Sequence, residues 1–336
     1  MSIIYRIQSA LPLSLAEVNF YFIQDSLPTL IDAGINTEEC FNLLDSSIRQ
    51  CGSSLSRIKR IILTHGHLDH MGLAGKVKEI SGAEVYIHQL DKNKSVRGAN
   101  LRSSISKYDF NKFFREAGSP ENLIRDTSNY IIQRFAKYIY PLSGVSTVGD
   151  GERFDFDDFR ITVISTPGHT AGSICLLNEE DGTLFSGDSL LKKIIPKLIA
   201  EVKDTDKLKD YKSLCSYEGS LKRLESLKVK SIYPGHGSPF YGHLKRIKQL
   251  KNYYGKQKRK VLQIIGDFEN SADKKLRVSQ YMIGQKLFSF TPGINKKSGV
   301  DMFPFLSETR AYIEALEEEG LVTSRKYENM LLYSLI

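Results

Sequence analysis

Three histidines and one aspartate stand within six residues, at His65, His67, Asp69 and His70 in the run Thr64-His65-Gly66-His67-Leu68-Asp69-His70. Neutral imidazole and carboxylate are the donors that Zn2+ and related divalent ions accept. A lone histidine is usually structural, whereas four such donors on one loop after a buried strand point to a metal site. Three further turns each offer one donor: Thr166-Pro167-Gly168-His169-Thr170, Ser186-Gly187-Asp188-Ser189 and Pro234-Gly235-His236-Gly237. Each follows a stretch that reads as a strand, and each contains glycine, which allows a sharp turn. Loops at strand ends converge at one edge of a sheet. The seven residues His65, His67, Asp69, His70, His169, Asp188 and His236 are therefore expected to form one site.

The chemistry such a set can carry is hydrolysis. A bound divalent metal lowers the pKa of water from about 15.7 towards about 7. That makes a nucleophile without serine or cysteine, and no Gly-x-Ser-x-Gly arrangement is present. Two ions sharing a carboxylate can share a bridging hydroxide and polarise a carbonyl or phosphoryl oxygen. Asp69 is the candidate to take the proton of the attacking water. The other two histidines read differently. His88 ends a strand and is expected to be structural or to line a pocket. His243 lies in a basic helical stretch and is expected to be solvated. Cys175, on a strand, reads as a small buried hydrophobe.

The elements that must position these residues follow an α/β rhythm. Residues 18–23 and 29–32 read as a hairpin with a turn over 25–28. Residues 37–50 have helical spacing, with Phe41, Leu44 and Ile48 on one face. Strands are expected over 58–64 and 84–88, with a short helix over 72–81 between them. From 89 to 147 the rhythm breaks, and ten Lys/Arg stand against five Asp/Glu. Apolar residues at helical spacing there (Tyr108, Phe113, Phe114, Tyr130, Ile131, Phe135) predict a helical insertion, read as a cap over a pocket. Strands resume over 152–156, 159–165, 173–178 and 183–186. A helix over 211–227 and a strand over 229–233 follow. Residues 244–268 read as a long basic helix. Helices over 278–288 and 306–319, then a ribbon over 321–325 and 330–336, form a winged-helix pattern.

The chain has 336 residues, 41% of them hydrophobic and 26% charged, which fits two domains and excludes a disordered or fibrous class. No apolar run reaches 18 residues, so a membrane partner is not expected. The start of the chain lacks the basic region of a signal peptide. The four cysteines show no CxxC spacing, and a reducing cytoplasm is the expected compartment. A net charge of +8 permits an anionic small molecule or nucleic acid as partner.

These motifs resemble those of the metallo-β-lactamase superfamily: His65-x-His67-x-Asp69-His70, then His169, Asp188 and His236 in the family's order. Asn19-Phe20-Tyr21 and Ile31-Asp32-Ala33-Gly34 belong to the same likeness, which spans about residues 16–255. The resemblance implies an α/β fold, an αββα sandwich with the metals at one edge. It implies a catalytic domain over 1–255, with the insertion at about 89–147, and a winged-helix domain over 256–336. Within the superfamily the pattern is similar to the glyoxalase II group and to β-lactamase-like protein 2. That likeness implies two divalent ions, Zn2+ first, with Fe or Mn as alternatives. His65, His67 and His169 would hold one ion, Asp69, His70 and His236 the other, and Asp188 would bridge them. The expected activity is a dinuclear hydrolase of a small, anionic ester or thioester. The alternatives are a metal-dependent endoribonuclease acting on RNA, and a non-catalytic regulatory or binding protein. A winged helix also serves as a packing or dimerisation module, so a homodimer is a further expectation.

Overall fold

The computed structural model describes residues 2–12, 17–96, 110–125, 127, 137–201, 208, 210–271, 277–288 and 302–336. Tyr108, Tyr130, Ile131 and Phe135 of the expected insertion lie outside them. Six strands form the first sheet in sequence order: β1 (Ile3–Ala10), β2 (Glu17–Gln24), β3 (Thr29–Ile31), β4 (Arg60–Ile62), β5 (Glu84–His88) and β6 (Ser146–Val148). β1, β2 and β3 pair antiparallel, and β3 to β6 pair parallel. The second sheet holds β7 (Arg153–Asp155), β8 (Arg160–Ser165), β9 (Ile174–Asn178), β10 (Thr183–Gly187) and β11 (Ser231–Pro234), in the order β11-β10-β9-β8-β7.

Alternating side chains hold these layers together. Tyr21, Ile23, Ile31 and Ile62 of the first sheet meet Ile161, Val163, Leu176 and Phe185 of the second. Phe20, Phe22, Leu30 and Val85 point the other way. They bury against Leu44 and Ile48 of helix α1 (Glu38–Gln50). The Thr37 hydroxyl caps α1 by accepting from the Cys40 N–H. On the far side, Cys175, Leu184 and Ile232 pack against Leu214, Leu221 and Ile247 from two later helices. Strands β2, β3, β9 and β10 are buried on both faces. The result is a helix-sheet-sheet-helix α/β sandwich. Among the described residues no helix is long and apolar enough to cross a membrane.

Two short helices, α2 (Leu68–Met71) and α3 (Ala74–Ser81), follow β4. The insertion begins with α4 (Lys92–Val96) and α5 (Phe110–Glu116). Its far end is pressed onto α2 and α3. The Tyr140 N–H donates to the Gly72 carbonyl at 2.8 Å, and the Asn36 N–H donates to the Tyr138 carbonyl at 3.2 Å.

The last third starts with α6 (Ser213–Glu225) and α7 (His243–Glu269). The expected boundary at 255/256 falls inside α7, whose Leu250, Tyr254, Val261 and Ile265 share one core. Strand β12 (Val278–Ser279), α8 (Gln280–Leu287), α9 (Met302–Glu318), β13 (Val322–Tyr327) and β14 (Met330–Leu335) complete the chain. Their three-stranded sheet has the order β12-β14-β13. Phe113 and Phe114 of α5 pack against Met302 and Leu306 of α9, so the insertion leans on this last unit.

Candidate metal centre

The predicted donors cluster just past the carboxyl ends of strands. His65 follows β4, His169 follows β8, Asp188 follows β10 and His236 follows β11. Main-chain bonds tie the two sheets together at this edge: Ile174 N–H to the Thr64 carbonyl at 2.9 Å, and Asn19 N–H to the Gly235 carbonyl at 2.7 Å. Helix α2 opens immediately after His67 and carries Asp69 and His70 in its single turn.

The structure brings all seven residues together. His65 Nε2 lies 3.1 Å from His67 Nδ1, and His169 Nε2 lies 2.9 Å from the same atom. His70 Nε2 and His236 Nε2 are 3.3 Å apart. Asp69 Oδ2 stands 3.4 Å from His236 Nε2 and 3.9 Å from His70 Nε2. Asp188 reaches both groups: its Oδ2 is 3.3 Å from His169 Nε2 and 3.4 Å from His236 Nε2, and its Oδ1 is 3.5 Å from His70 Nε2.

The opposite ring nitrogens are anchored from outside. His70 Nδ1 meets Asp32 Oδ2 at 2.8 Å. His169 Nδ1 donates to the Lys197 carbonyl at 2.7 Å, and His236 Nδ1 donates to the Glu17 carbonyl at 2.6 Å. His65 Nδ1 lies 3.1 Å from the Thr64 hydroxyl, which itself donates to Asp32. Such outer bonds fix the tautomer and aim the free lone pair inward. The segment around Lys197 is itself held in place by α7. Arg246 donates to the Leu191 and Ile194 carbonyls, both at 2.6 Å, and the Tyr254 hydroxyl donates to the Pro196 carbonyl at 2.6 Å.

Burial and mutual repulsion set the charges. Burial first, then His70, His67 and His169, push the His65 pKa well below its ordinary value. Burial and neighbouring His169 bring His67 down to about 3. Burial also lowers His169. These three imidazoles are neutral, the form that ligates metal. The other half behaves oppositely. Burial opposes charge on His70, but Asp32, Asp188 and Asp69 outweigh it and raise the pKa to about 9. Asp188 and Asp69 likewise overcome burial at His236 and raise it to about 11. Burial works against the Asp69 carboxylate, yet His70 and His236 hold its pKa well below the usual range.

This donor set fits divalent cations. Ring nitrogens facing one another at 2.9–3.3 Å lie close to the roughly 3.4 Å edge of a tetrahedron with bonds of about 2.1 Å. Asp188 Oδ1 is buried with no hydrogen-bond partner among the described residues. An orphaned carboxylate oxygen is costly unless a cation takes it. Among the described residues, three groups of donors lie close enough to hold an ion: His65, His67 and His169; His65, His70 and Asp188; and Asp69, His70 and His236.

His88 ends β5, accepts from the Leu90 N–H at 3.3 Å and stands outside these groups. Cys175 is fully buried. His243, expected to be solvated, is only 7% exposed. It lies on the buried stripe His243, Arg246, Ile247, Leu250 and Tyr254, whose 3- and 4-residue spacing is that of a core-facing helix side. Asp32 stands in the sequence motif, but sequence reasoning gives it no role. The available signal is an acidic residue directly after the apolar strand β3. Its φ of +59° marks a conformation that aspartate tolerates better than most residues.

Residues 15–236 match the family model described as the Metallo-beta-lactamase superfamily. The "Probable metallo-hydrolase YqjP" of Bacillus subtilis is 27% identical over 320 residues, covering 93% of this chain and 92% of that protein. An "Atrochrysone carboxyl ACP thioesterase" of Aspergillus fumigatus is 24% identical over 206 residues, 61% of this chain and 47% of that one. A solved metallo-beta-lactamase family protein of Thermus thermophilus superposes with a TM-score of 0.82 at 23% identity, covering 99% of this chain and 98% of the other.

Proposed function

The chain belongs to the metallo-beta-lactamase superfamily, and we propose that it is a dinuclear metal-dependent hydrolase of a small, anionic ester or thioester. The observation that carries this reading is the position of Asp188 between two donor groups, 3.3 Å from His169 and 3.4 Å from His236. In this reading His65, His67 and His169 would hold one ion, Asp69, His70 and His236 would hold the other, and Asp188 would serve both. Zn2+ suits the imidazole-rich set, with Fe and Mn as alternatives. When bound, the two ions would supply an activated water at neutral pH and polarise the acyl oxygen. Asp32, Lys197 and Glu17 orient the rings of His70, His169 and His236. The Asp69 side chain, 20% exposed, is more open than those of His70 or Asp188. That openness suits it to accept the proton of the attacking water.

Two observations favour acyl chemistry over RNA cleavage. The thioesterase of Aspergillus fumigatus is a relative whose name gives acyl chemistry. The last unit, from α7 to β14, has the helix and strand order of a winged helix, which would favour RNA as substrate. Yet its helix before the ribbon, α9, has no exposed residue from Met302 to Glu317. A recognition helix needs a free face to enter a groove. We therefore read this unit as a packing module that supports the insertion. The test is thiol release from a panel of acyl-thioesters by metal-loaded protein. Metal-dependent release supports the reading. Activity confined to RNA phosphodiesters would replace it with the nuclease.

A further inference from the structure

Asp91 lies three residues past β5, at the start of the insertion, and is fully buried. Its carboxylate collects four donors. Oδ2 accepts from the Gly66 N–H at 2.7 Å and from the Thr170 hydroxyl at 2.7 Å. Oδ1 accepts from the Gly172 N–H at 3.1 Å and from Lys94 Nζ at 2.9 Å. Gly66 separates His65 from His67, and Thr170 follows His169. One side chain thus links the two loops that together supply the three neutral imidazoles. Lys94 also pairs with Glu201, which accepts from the Ala171 N–H on the second of these loops at 3.3 Å.

Steric fit on both loops matches this link. A Cβ at Gly66 would come within 2.9 Å of the Lys94 side chain, and one at Gly172 within 2.6 Å of Asp91. Both turns are therefore built around these side chains. Burial opposes the Asp91 charge, but Lys94, the Thr170 hydroxyl and the Gly66 N–H outweigh it and hold the pKa at about 2. The carboxylate is ionised and can accept from all four donors at once.

We propose that Asp91 is a positioning residue for the three-histidine group, setting the His65–His67 loop in register with the His169 loop. The role is selective. His70 and His236 are oriented by Asp32 and Glu17, on other elements. The insertion would then brace the site through its first residues, in addition to any covering role. The effect on metal binding rests on the metal-hydrolase reading, whereas the loop link is a property of the chain itself.

The Asp91→Asn variant tests it, because the amide keeps the shape and leaves Lys94 paired with Glu201. Its NH2 would face donors in place of an acceptor. Two readouts apply. The first is Zn2+ affinity by competition with a chromophoric chelator, with histidine ring NMR shifts reporting which group fills. The expected result is a loss of about 10–100-fold at His65, His67 and His169, with the Asp69, His70, His236 group retained. The second is amide hydrogen exchange in the metal-free chain, expected to speed up at Gly66 and Gly172. Thr170→Val, which removes one donor, should give a smaller change of the same sign and serves if Asp91→Asn does not fold. Equal loss at both groups, or unchanged affinity with unchanged exchange, would overturn the positioning role. A wild-type chain that takes up no ion overturns the hydrolase reading instead. The exchange data then decide the role of Asp91 alone.

Discussion

Asp32 Oδ2 lies 2.8 Å from His70 Nδ1, and its Oδ1 accepts from the Thr64 N–H at 2.8 Å. One carboxylate after β3 therefore fixes both the loop after β4 and a ring on α2. Asp32→Asn keeps the unusual backbone conformation, which asparagine also adopts. It presents an N–H to a ring that needs an acceptor. We expect metal affinity at the Asp69, His70, His236 group to fall about 10–100-fold. Chelator competition on wild type and variant checks this, and equal affinities would count against it.

Metal uptake should release protons unequally. In the metal-free chain burial is outweighed by Asp32, Asp188 and Asp69, which push His70 up to about 9, and by Asp188 and Asp69, which push His236 up to about 11, favouring protonated rings at pH 7. Burial and neighbouring His169 pull His67 down to about 3, which favours its neutral ring. An ion entering at His70 and His236 must displace their protons, whereas one entering at His65, His67 and His169 need not. Titration calorimetry in buffers of different ionisation enthalpy should count more than one proton for the first event and fewer than one for the second. The same raised pKa of His70 stabilises the metal-free fold fully below its ordinary value of 6.5, and that contribution is lost as pH rises through about 9. Metal-free stability should therefore decline over that window, as followed by denaturant midpoints.

Gly75 on α3 faces the Pro141 and Tyr140 carbonyls at the far end of the insertion. An added methyl has no room there. Gly75→Ala should cost about 1–3 kcal/mol by overpacking, despite alanine's better helix propensity. A thermal midpoint equal to or above that of wild type would show that the insertion is not seated tightly on α3.

The enclosure of α9 predicts weak binding to nucleic acid. Short RNA and duplex DNA should bind no tighter than the non-specific range of about 10⁻⁴–10⁻⁶ M at physiological salt. Fluorescence anisotropy measures this. A nanomolar complex would give the unit from α7 to β14 a recognition role.

Much of this arrangement is legible in the chain. Strands β8 and β10, which lead into His169 and Asp188, are expected over 159–165 and 183–186 and lie at Arg160–Ser165 and Thr183–Gly187. Other features are not legible, for physical reasons. β6 has only one buried residue among three, Val148, so its pairing with β5 leaves no periodic trace. β1 buries only Ile7 and Ser9 of its eight residues, so no continuous apolar face marks it. The basic neighbours of His243 mask a core stripe that spacing alone would have shown. Asp32 acts on a loop 32 residues further along the chain. Asp91 acts on one loop 25 residues before it and on another 81 residues after it. Such contacts exist only once the sheets close.

In the dinuclear reading, Asp188 would join two ion sites into one hydrolytic centre. The direct measurement is metal content per chain together with thioester turnover for wild type and Asp188→Ala. Wild type should bind two ions and turn over. The variant should lose turnover, with at least one ion lost or weakened. An Asp188→Ala chain that keeps both ions and normal turnover would contradict the claim.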